Sequence, residues 1–273
     1  MNRETFVFSA LKKEGKGLEI GPSHNPIAPK KRGFNVEILD HLSKNELISK
    51  YREHNVNLSN IEDVDYIWKG ESYSKLIGKK NHYDWAIASH LIEHTPDLIS
   101  FLNDCSEILN DSGVLSLVIP DKRYCFDHFR PHTGISKIID SHYNKNKIHT
   151  PGTAAEYFLN VVSKNGGTAW DLNTKGEYAF VHNATNAQDS MKQILNDNAY
   201  LDLHSWCFTP NSFRLIIHDL NLLGFINLKE VIWHPTNGCE FYISLSRNGE
   251  GIGVNSDRLT LLKLIEAELN NNS

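Results

Sequence analysis

Cysteine and long apolar runs are scarce in this sequence. The four cysteines form no C-x-x-C pair and are widely separated, so neither a zinc knuckle nor a disulfide framework is predicted. They are Cys105, Cys125, Cys207 and Cys239. No apolar run approaches the ~20 residues of a membrane-spanning helix, and the run at 6–11 is shorter than the ~7–15 residues of a signal-peptide core. We therefore expect a cytoplasmic protein with reduced thiols and no membrane span.

The sequence also lacks an excess of positive charge. It has 28 Lys and Arg against 33 Asp and Glu, which leaves a formal net charge of −5. Neutralising a phosphate backbone requires clustered basic residues, so this balance argues against a nucleic-acid partner. The 273 residues are 40% hydrophobic and 22% charged. This composition is typical of a globular chain that forms one large domain, or one domain with an insertion.

Short apolar segments alternate with helical segments in the first half of the chain. Nearly continuous apolar runs are typical of parallel strands that are covered on both faces. A helix with apolar residues at helical spacing follows Pro96 and separates the last two runs. The alternation predicts a doubly wound α/β sheet. The runs lie at 17–20, 35–39, 64–68, 83–88 and 114–119.

The alternation stops after residue 120 and resumes at Thr209-Pro210, which has the pattern of a helix cap followed by proline in the first turn. Two further apolar runs, at 226–233 and 240–245, flank Asn237-Gly238 and predict a hairpin. The intervening segment is rich in His, Asn and aromatic residues, and its apolar spacing suggests helices around 154–162 and 187–195.

These patterns together predict a Rossmann-like, doubly wound sheet of about seven strands, with a closing β-hairpin and an inserted, mostly helical cap. We expect residues 1–120 and 206–248 to form the sheet domain, 121–205 the cap, and 249–273 a linker and C-terminal helix.

The turn after the first strand indicates where a ligand binds. Gly21 follows that strand, and the absence of a Cβ allows close approach to the backbone. Asp40 ends the second strand, at the separation from the glycine turn that suits a carboxylate accepting hydrogen bonds from a ribose diol. No G-x-G-x-x-G or Walker pattern is present, and two prolines, Pro22 and Pro26, occupy the turn. A ligand with a ribose and no pyrophosphate is therefore favoured, and S-adenosylmethionine fits.

Three segments resemble class I S-adenosylmethionine-dependent methyltransferases of the type 11-like group. LEIGPS at 18–23 is similar to their first motif, with Ser23 in place of the usual second glycine. YDWAIASHLIEH at 83–94 is similar to the fourth motif, and ILNDSGVL at 108–115 to the turn and strand that follow it. PDKRYCFD at 120–127 and HSWCFTP at 204–210 resemble a subgroup associated with bacterial surface-polysaccharide biosynthesis.

The resemblance implies roles for individual residues in binding S-adenosylmethionine. Glu19 would lie near the methionine amino group, Gly21 would admit the cofactor, and Asp40 would hold the ribose. The complete set of expected cofactor-binding residues is Glu19, Gly21, Ser23, Asp40, Gly70, Glu71, Ser72, Ser89 and His90.

The fourth-motif segment also contains H-x-x-E-H, from His90 to His94, which is a zinc-protease signature. Both histidines must then lie on one helix. His90 directly follows a strand, and Pro96 places the helix start too late, so a metalloprotease is disfavoured. The histidines and acids of the cap could instead hold a divalent metal, but no compact ligand spacing is present and no metal site is predicted.

Methyl transfer to an oxygen needs a proton acceptor, and the sequence offers candidates at the carboxyl edge of the sheet. We expect His204 to be the base, with Asp121 as its partner or competitor and His128 as a further candidate. The aromatic and amide side chains of the cap suit hydroxyl-bearing rings. The predicted function is therefore O-methylation of a sugar or surface polysaccharide. The alternatives are an inactive methyltransferase-like binding module, a methyltransferase acting on a non-sugar small molecule, and an NAD-dependent sugar enzyme.

Overall fold

The computed structural model describes residues 2–253 and 257–270. Its strands arise from the apolar runs identified above, with one additional pair in the 121–205 segment. In chain order they are β1 Gly17–Ile20, β2 Val36–Asp40, β3 Tyr66–Ile67, β4 Tyr83–Ser89, β5 Leu109–Pro120, β6 Val162–Lys164, β7 Tyr178–Phe180, β8 Lys229–Asn237 and β9 Glu240–Ser246.

The helices connect and cover these strands, and the last of them, α9, forms the predicted C-terminal helix. Within the C-terminal region expected at 249–273, residues 254–256 and 271–273 lie outside the described part of the chain. The helices are α1 Arg3–Val7, α2 Lys44–Tyr51, α3 Tyr73–Ile77, α4 Leu98–Ile108, α5 Ile135–Tyr143, α6 Pro151–Asn160, α7 Ala184–Asp197, α8 Pro210–Leu222 and α9 Arg258–Asn270.

Seven strands form one sheet in the order β3-β2-β1-β4-β5-β9-β8. Neighbours from β3 to β5 are parallel, whereas β9 runs antiparallel to both β5 and β8. The predicted doubly wound sheet with a closing hairpin is therefore confirmed. The chain order reverses between β1 and β4, and the carboxyl ends of strands at such a switch point are where open α/β sheets bind ligands.

Two strands differ most in length from the sequence prediction, β3 and β5. Only Tyr66–Ile67 of the run at 64–68 forms a strand, because the Asp65 carboxylate accepts the backbone N–H of Ile38, where a strand neighbour would otherwise pair. Strand β5, by contrast, is longer than predicted, because it starts at Leu109 instead of residue 114. Leu109 pairs with Tyr83 before the register shifts, so the turn after it bulges out of the ladder.

Alternate residues of the central strands enter two cores on opposite faces of the sheet. Ala86 and Ala88 of β4 face the core that contains α4 and α8, while Trp85 and Ile87 face the smaller core beneath α1. The Trp85 ring is fully buried and lies on Gly17 of β1, where an added Cβ would come within 2.1 Å of it. The close β1–β4 contact therefore depends on glycine at position 17.

The 121–205 segment contains more regular structure than its sequence suggests. Helix α6 starts at Pro151, earlier than expected, because the Thr150 side chain caps it, and α7 extends the helix expected at 187–195 because Asn183 forms a capping box. Helix α5 and the small β6–β7 hairpin are additional. Ala154, Ile194 and Leu203 form a separate small core between α6 and α7.

Candidate functional site

The turn after β1 has the backbone geometry of a tight ligand-binding turn. Gly21 has φ +64° and Ser23 has φ +54°, both in the left-handed region. A Cβ on Gly21 would lie 2.2 Å from the Leu91 side chain, so the position requires glycine. The Ser23 backbone N–H donates to Asp40 Oδ2 at 3.0 Å, which holds the serine in a conformation that glycine adopts more easily.

Glu19 fixes the loop that follows this turn. Its buried carboxylate accepts the backbone N–H groups of Ile27 at 2.6 Å and Ala28 at 3.0 Å, one on each oxygen. Burial raises the pKa of Glu19 to about 7, although the two backbone donors act in the opposite direction. In the structure, Glu19 therefore shapes the cofactor turn, and its expected contact with a methionine amino group stays a prediction.

Asp40 lies at the carboxyl end of β2, directly beside the turn. Its Oδ1 accepts the backbone N–H of His41 at 2.7 Å and contacts the His41 ring at 2.6 Å, and Oδ2 accepts Ser23. A carboxylate can accept about four hydrogen bonds, so acceptor capacity remains. The adjacent Ser23 hydroxyl is buried and has no hydrogen-bond partner within the described residues. The open carboxylate capacity and the unpartnered hydroxyl fit a ligand that bears a ribose diol.

The turn from Gly70 to Ser72 follows β3 at the same edge of the sheet. Gly70 has φ +104° with no atom near its missing Cβ, and Ser72 is the N-cap residue of α3 without a capping hydrogen bond from its side chain. The Glu71 carboxylate accepts the N–H of Lys69, and its carbonyl accepts the indole N–H of Trp68. The partly exposed Trp68 ring is an apolar surface at this edge that the sequence analysis does not identify.

Ser89 and His90 lie at the end of β4 beneath the N-terminal helix. Arg3 of α1 donates to Ser89 Oγ at 2.6 Å and pairs with Glu240 at 2.9 Å. His90 has φ +49°, and its Nε2 lies 2.7 Å from Glu240 Oε2. Arg3 and Glu240 therefore cover the expected sulfur side of the cofactor pocket, and neither residue is part of a recognisable motif.

His204 is buried where the 121–205 segment returns to the sheet, and its partner is Asp127 instead of Asp121. His204 Nδ1 donates to Asp127 Oδ2 at 2.5 Å, and the other Asp127 oxygen accepts Arg130 at 2.7 Å. Burial alone would raise the pKa of Asp127, but its contacts with His204 and Arg130 hold it well below its ordinary value. The ionised Asp127 fixes the His204 tautomer, so that Nε2 carries the lone pair.

Asp121 is equally buried but already fully engaged. Arg123 donates to it from Nε at 2.9 Å and from Nη2 at 2.6 Å, and Thr236 Oγ1 donates at 2.5 Å. These contacts tie the end of β5 to the closing hairpin. Asp121 thus has a structural role at this junction, and the structure does not bring it to His204.

His128 belongs to a different cluster. Its Nδ1 donates to the Arg123 carbonyl at 2.8 Å, and its ring stacks on Tyr178 of β7 with centroids 4.9 Å apart. Burial lowers the pKa of His128. Phe129 and Trp170 complete this aromatic group on the 121–205 segment. The structure therefore places His128 in this aromatic group and not against His204.

Two side chains that the sequence analysis did not group with His204, Glu93 and His94, lie beside it. One ligand atom from each of Glu93, His94 and His204 lies within 4.8 Å of the others. Glu93 and His94 form part of a short 3-10 turn after β4, and α4 starts only at Leu98, as expected. His90, the first histidine of H-x-x-E-H, pairs with Glu240 through Nε2, and its Nδ1 lies 3.6 Å from Glu93 Oε1. The H-x-x-E-H motif contains Glu93 and His94, but the third member of the cluster, His204, lies far along the chain. The motif alone therefore does not identify the cluster.

A family model described as a methyltransferase domain matches residues 3–222 of the chain. A search of curated proteins found no match. Among solved structures, the chain is similar to a SAM-dependent methyltransferase from Methanosarcina mazei, with 15% identity, a TM-score of 0.45 and coverage of 89% of this chain and 97% of that one. The CcbJ methyltransferase from Streptomyces caelestis shows 13% identity and a TM-score of 0.45, with 89% and 92% covered.

A candidate sarcosine dimethylglycine methyltransferase from Galdieria sulphuraria is 20% identical, with a TM-score of 0.30. That alignment covers 45% of this chain and 46% of the Galdieria sulphuraria chain, so the similarity spans less than half the length of that protein.

Proposed function

The chain belongs to the methyltransferase domain family and is an S-adenosylmethionine-dependent methyltransferase, and from that premise we propose that it methylates a hydroxyl group of a sugar or surface polysaccharide. When bound, S-adenosylmethionine supplies an electrophilic methyl group on a sulfonium sulfur. Gly21 and Ser23 would admit the cofactor, and Asp40 would accept its ribose hydroxyls, as their positions at the β1 and β2 ends suggest.

The buried His204–Asp127 pair is the observation that carries the proposal. An alcohol needs a proton acceptor during methyl transfer, and a neutral imidazole held by a carboxylate serves that purpose. Nδ1 of His204 is committed to Asp127 at 2.5 Å, which leaves Nε2 free to receive a proton. The Phe126 ring packs against His204 with centroids 4.6 Å apart and excludes water from one side.

In the proposed step, the acceptor oxygen forms a bond to the methyl carbon as the carbon–sulfur bond breaks. The hydroxyl proton passes to Nε2 of His204 and then to solvent. The sulfonium is already a good leaving group, so alignment of the nucleophile and exclusion of water are the main contributions of the protein.

Aromatic side chains support a ring-bearing acceptor. The His204 ring contacts the Phe126 ring. The ring centroids of Phe126 and Tyr157 are 6.0 Å apart, and those of Tyr157 and His182 are also 6.0 Å apart. Flat apolar faces with polar edges are suited to packing against sugar rings. The exposed stack of His128 and Tyr178 offers a second such surface on the same segment.

The test is S-adenosylhomocysteine release with a panel of acceptors: nucleotide-linked sugars, purified surface polysaccharides, small phenols and small amines. We expect turnover with a sugar, and a new O-methyl signal in the product by mass spectrometry. His204→Ala should lower turnover by about 10²–10⁴-fold and leave S-adenosylhomocysteine affinity unchanged. The matched control is His82→Ala, because His82 lies next to the opposite end of β4. Methylation confined to amines, or a loss below tenfold in His204→Ala, would contradict the proposal.

A further inference from the structure

Glu93 is a buried carboxylate whose oxygens have no hydrogen-bond partner. Its side chain is 1% exposed, and neither Oε1 nor Oε2 is hydrogen-bonded by any group in residues 2–253 and 257–270. Leaving such a group unpaired in the interior is energetically unfavourable. The nearest groups that could carry positive charge are two imidazoles beyond hydrogen-bond distance, with His90 Nδ1 3.6 Å and His204 Nε2 4.0 Å from Glu93 Oε1.

The atoms that face Glu93 are imidazole nitrogens. Nε2 of His204 lies 4.0 Å from Glu93 Oε1, and the His94 and His204 rings meet edge to face with centroids 4.6 Å apart. Ligand atoms on one tetrahedral cation lie about 3.4 Å apart, so the present spacing of up to 4.8 Å needs to close by about 1.4 Å at most. We propose that Glu93, His94 and His204 bind a divalent transition-metal cation.

Groups behind the ligands orient them as in established metal sites. Asp127 holds Nδ1 of His204 and directs Nε2 toward Glu93, and Asp202 Oδ1 lies 2.9 Å from Nδ1 of His94. Metal-binding histidines commonly have a carboxylate on the second ring nitrogen. The backbone is fixed as well, because the Glu93 carbonyl accepts the N–H of Ser205 at 2.6 Å and ties the turn after β4 to the segment that carries His204.

The donor set selects the class of cation. Two imidazoles and one carboxylate suit Zn²⁺, Co²⁺ or Fe²⁺, whereas Mg²⁺ and Ca²⁺ prefer sites built entirely from oxygen. Three protein ligands leave a coordination position open for water or an acceptor hydroxyl, as in catalytic sites. With the cation bound, Nε2 of His204 would be a ligand, so the cation would replace it as the group that activates the acceptor in the proposed function. The cation would lower the pKa of the bound hydroxyl, and its proton would leave to water.

Binding can be measured without cofactor or acceptor, so the site is tested separately from the proposed methylation. Chelator-treated full-length protein is titrated with CoCl₂ and ZnCl₂ by calorimetry, and the visible d–d absorption of bound Co²⁺ is recorded. We expect one cation per chain, not displaced by an equal concentration of Mg²⁺. Glu93→Gln and His204→Gln should each weaken Co²⁺ binding at least about 10-fold, and Asp127→Asn about 10–100-fold.

His82→Gln changes a residue outside the cluster, so this variant should bind Co²⁺ with the same affinity as the unaltered chain. Near-ultraviolet circular dichroism checks the fold of each variant, and the half-buried His94→Gln provides a ligand test if a buried variant does not fold. Absence of stoichiometric binding, or binding that Glu93→Gln, His204→Gln and His94→Gln leave unchanged, would overturn the site. Failure of these titrations alongside intact sugar methylation would reject the cation site and leave the proposed function standing. Cation binding without methylation of any hydroxyl acceptor would support the cation site and reject the proposed function.

Discussion

Ser23 adopts a left-handed backbone conformation at a position where the first methyltransferase motif usually has glycine. That conformation costs roughly 1–2 kcal/mol for a residue with a Cβ. The hydrogen bond from its backbone N–H to Asp40 offsets part of this cost. The cofactor turn thus depends on Asp40 for its shape as well as for the ribose contact proposed above.

Asp40→Ala should therefore weaken the affinity for S-adenosylhomocysteine. Loss of charge-assisted hydrogen bonds to two ribose hydroxyls corresponds to about 1.5–3 kcal/mol, or roughly 10–150-fold in Kd. Isothermal titration calorimetry measures the change. The control is Asp84→Ala, since Asp84 also accepts a backbone N–H, that of Lys16, but lies at the opposite end of the sheet. Equal affinities in the Asp40 and Asp84 variants would refute the ribose role.

Glu19 makes stability depend on pH in a direction that can be stated in advance. Its folded pKa of about 7 lies above the ordinary value of 4.5, so between these values the folded state binds a proton that the unfolded state does not. The contribution of Glu19 to the free energy of unfolding therefore falls as pH rises from about 4.5 to about 7, by on the order of 1–3 kcal/mol.

Glu19→Gln removes that titration. Urea unfolding at pH 5 and pH 8 should show a stability difference, unaltered chain minus variant, that is larger at pH 5 than at pH 8. A difference that is constant across this range would show that the carboxylate does not gain a proton on folding.

Among the elements, the contact between β1 and β4 is sensitive to added side-chain volume. The Trp85 ring lies against Gly17, and its Nε1 donates to the Gly15 carbonyl at 3.2 Å. The ring cannot move away without losing this hydrogen bond and opening the core beneath α1. The packing therefore sets the separation of the two strands whose carboxyl ends flank the switch point of the sheet.

Gly17→Ala should accordingly destabilise the protein by about 1–3 kcal/mol, because the new methyl group overlaps the indole ring. Thermal unfolding monitored by circular dichroism measures the loss. Gly152→Ala serves as control: Gly152 is helical, with only a 3.9 Å side-chain neighbour near its missing Cβ, so alanine there should be neutral or stabilising. Trp85→Phe combined with Gly17→Ala should recover part of the loss, and no recovery would assign the effect to another cause.

For the molecule as a whole, the sheet was predictable because its signals are local. Apolar runs and the cap at Thr209 each lie within one element, and they predicted the doubly wound sheet of about seven strands and its closing hairpin correctly. The His204 cluster is different, because His204 and Asp127 are 77 residues apart. Both Asp121 and Asp127 are acids near the end of β5, and the sequence pattern does not distinguish the one that turns toward Arg123 from the one that meets His204. The proximity of Glu93 to His204 was missed for a related reason, because the H-x-x-E-H motif groups Glu93 with His90 and does not include His204.

The antiparallel pairing of β9 with β5 also has a consequence for how the chain is made. Strands β1 to β5 can pair as soon as they leave the ribosome. The other edge of β5 stays unpaired until β9 is synthesised, about 120 residues later. At roughly 5–20 residues per second, translation leaves that edge open for about 6–24 s. An unpaired edge of a buried strand invites pairing with other chains. Nascent-chain aggregation should therefore peak at lengths between 120 and 240, while the segment that carries His204 is being synthesised.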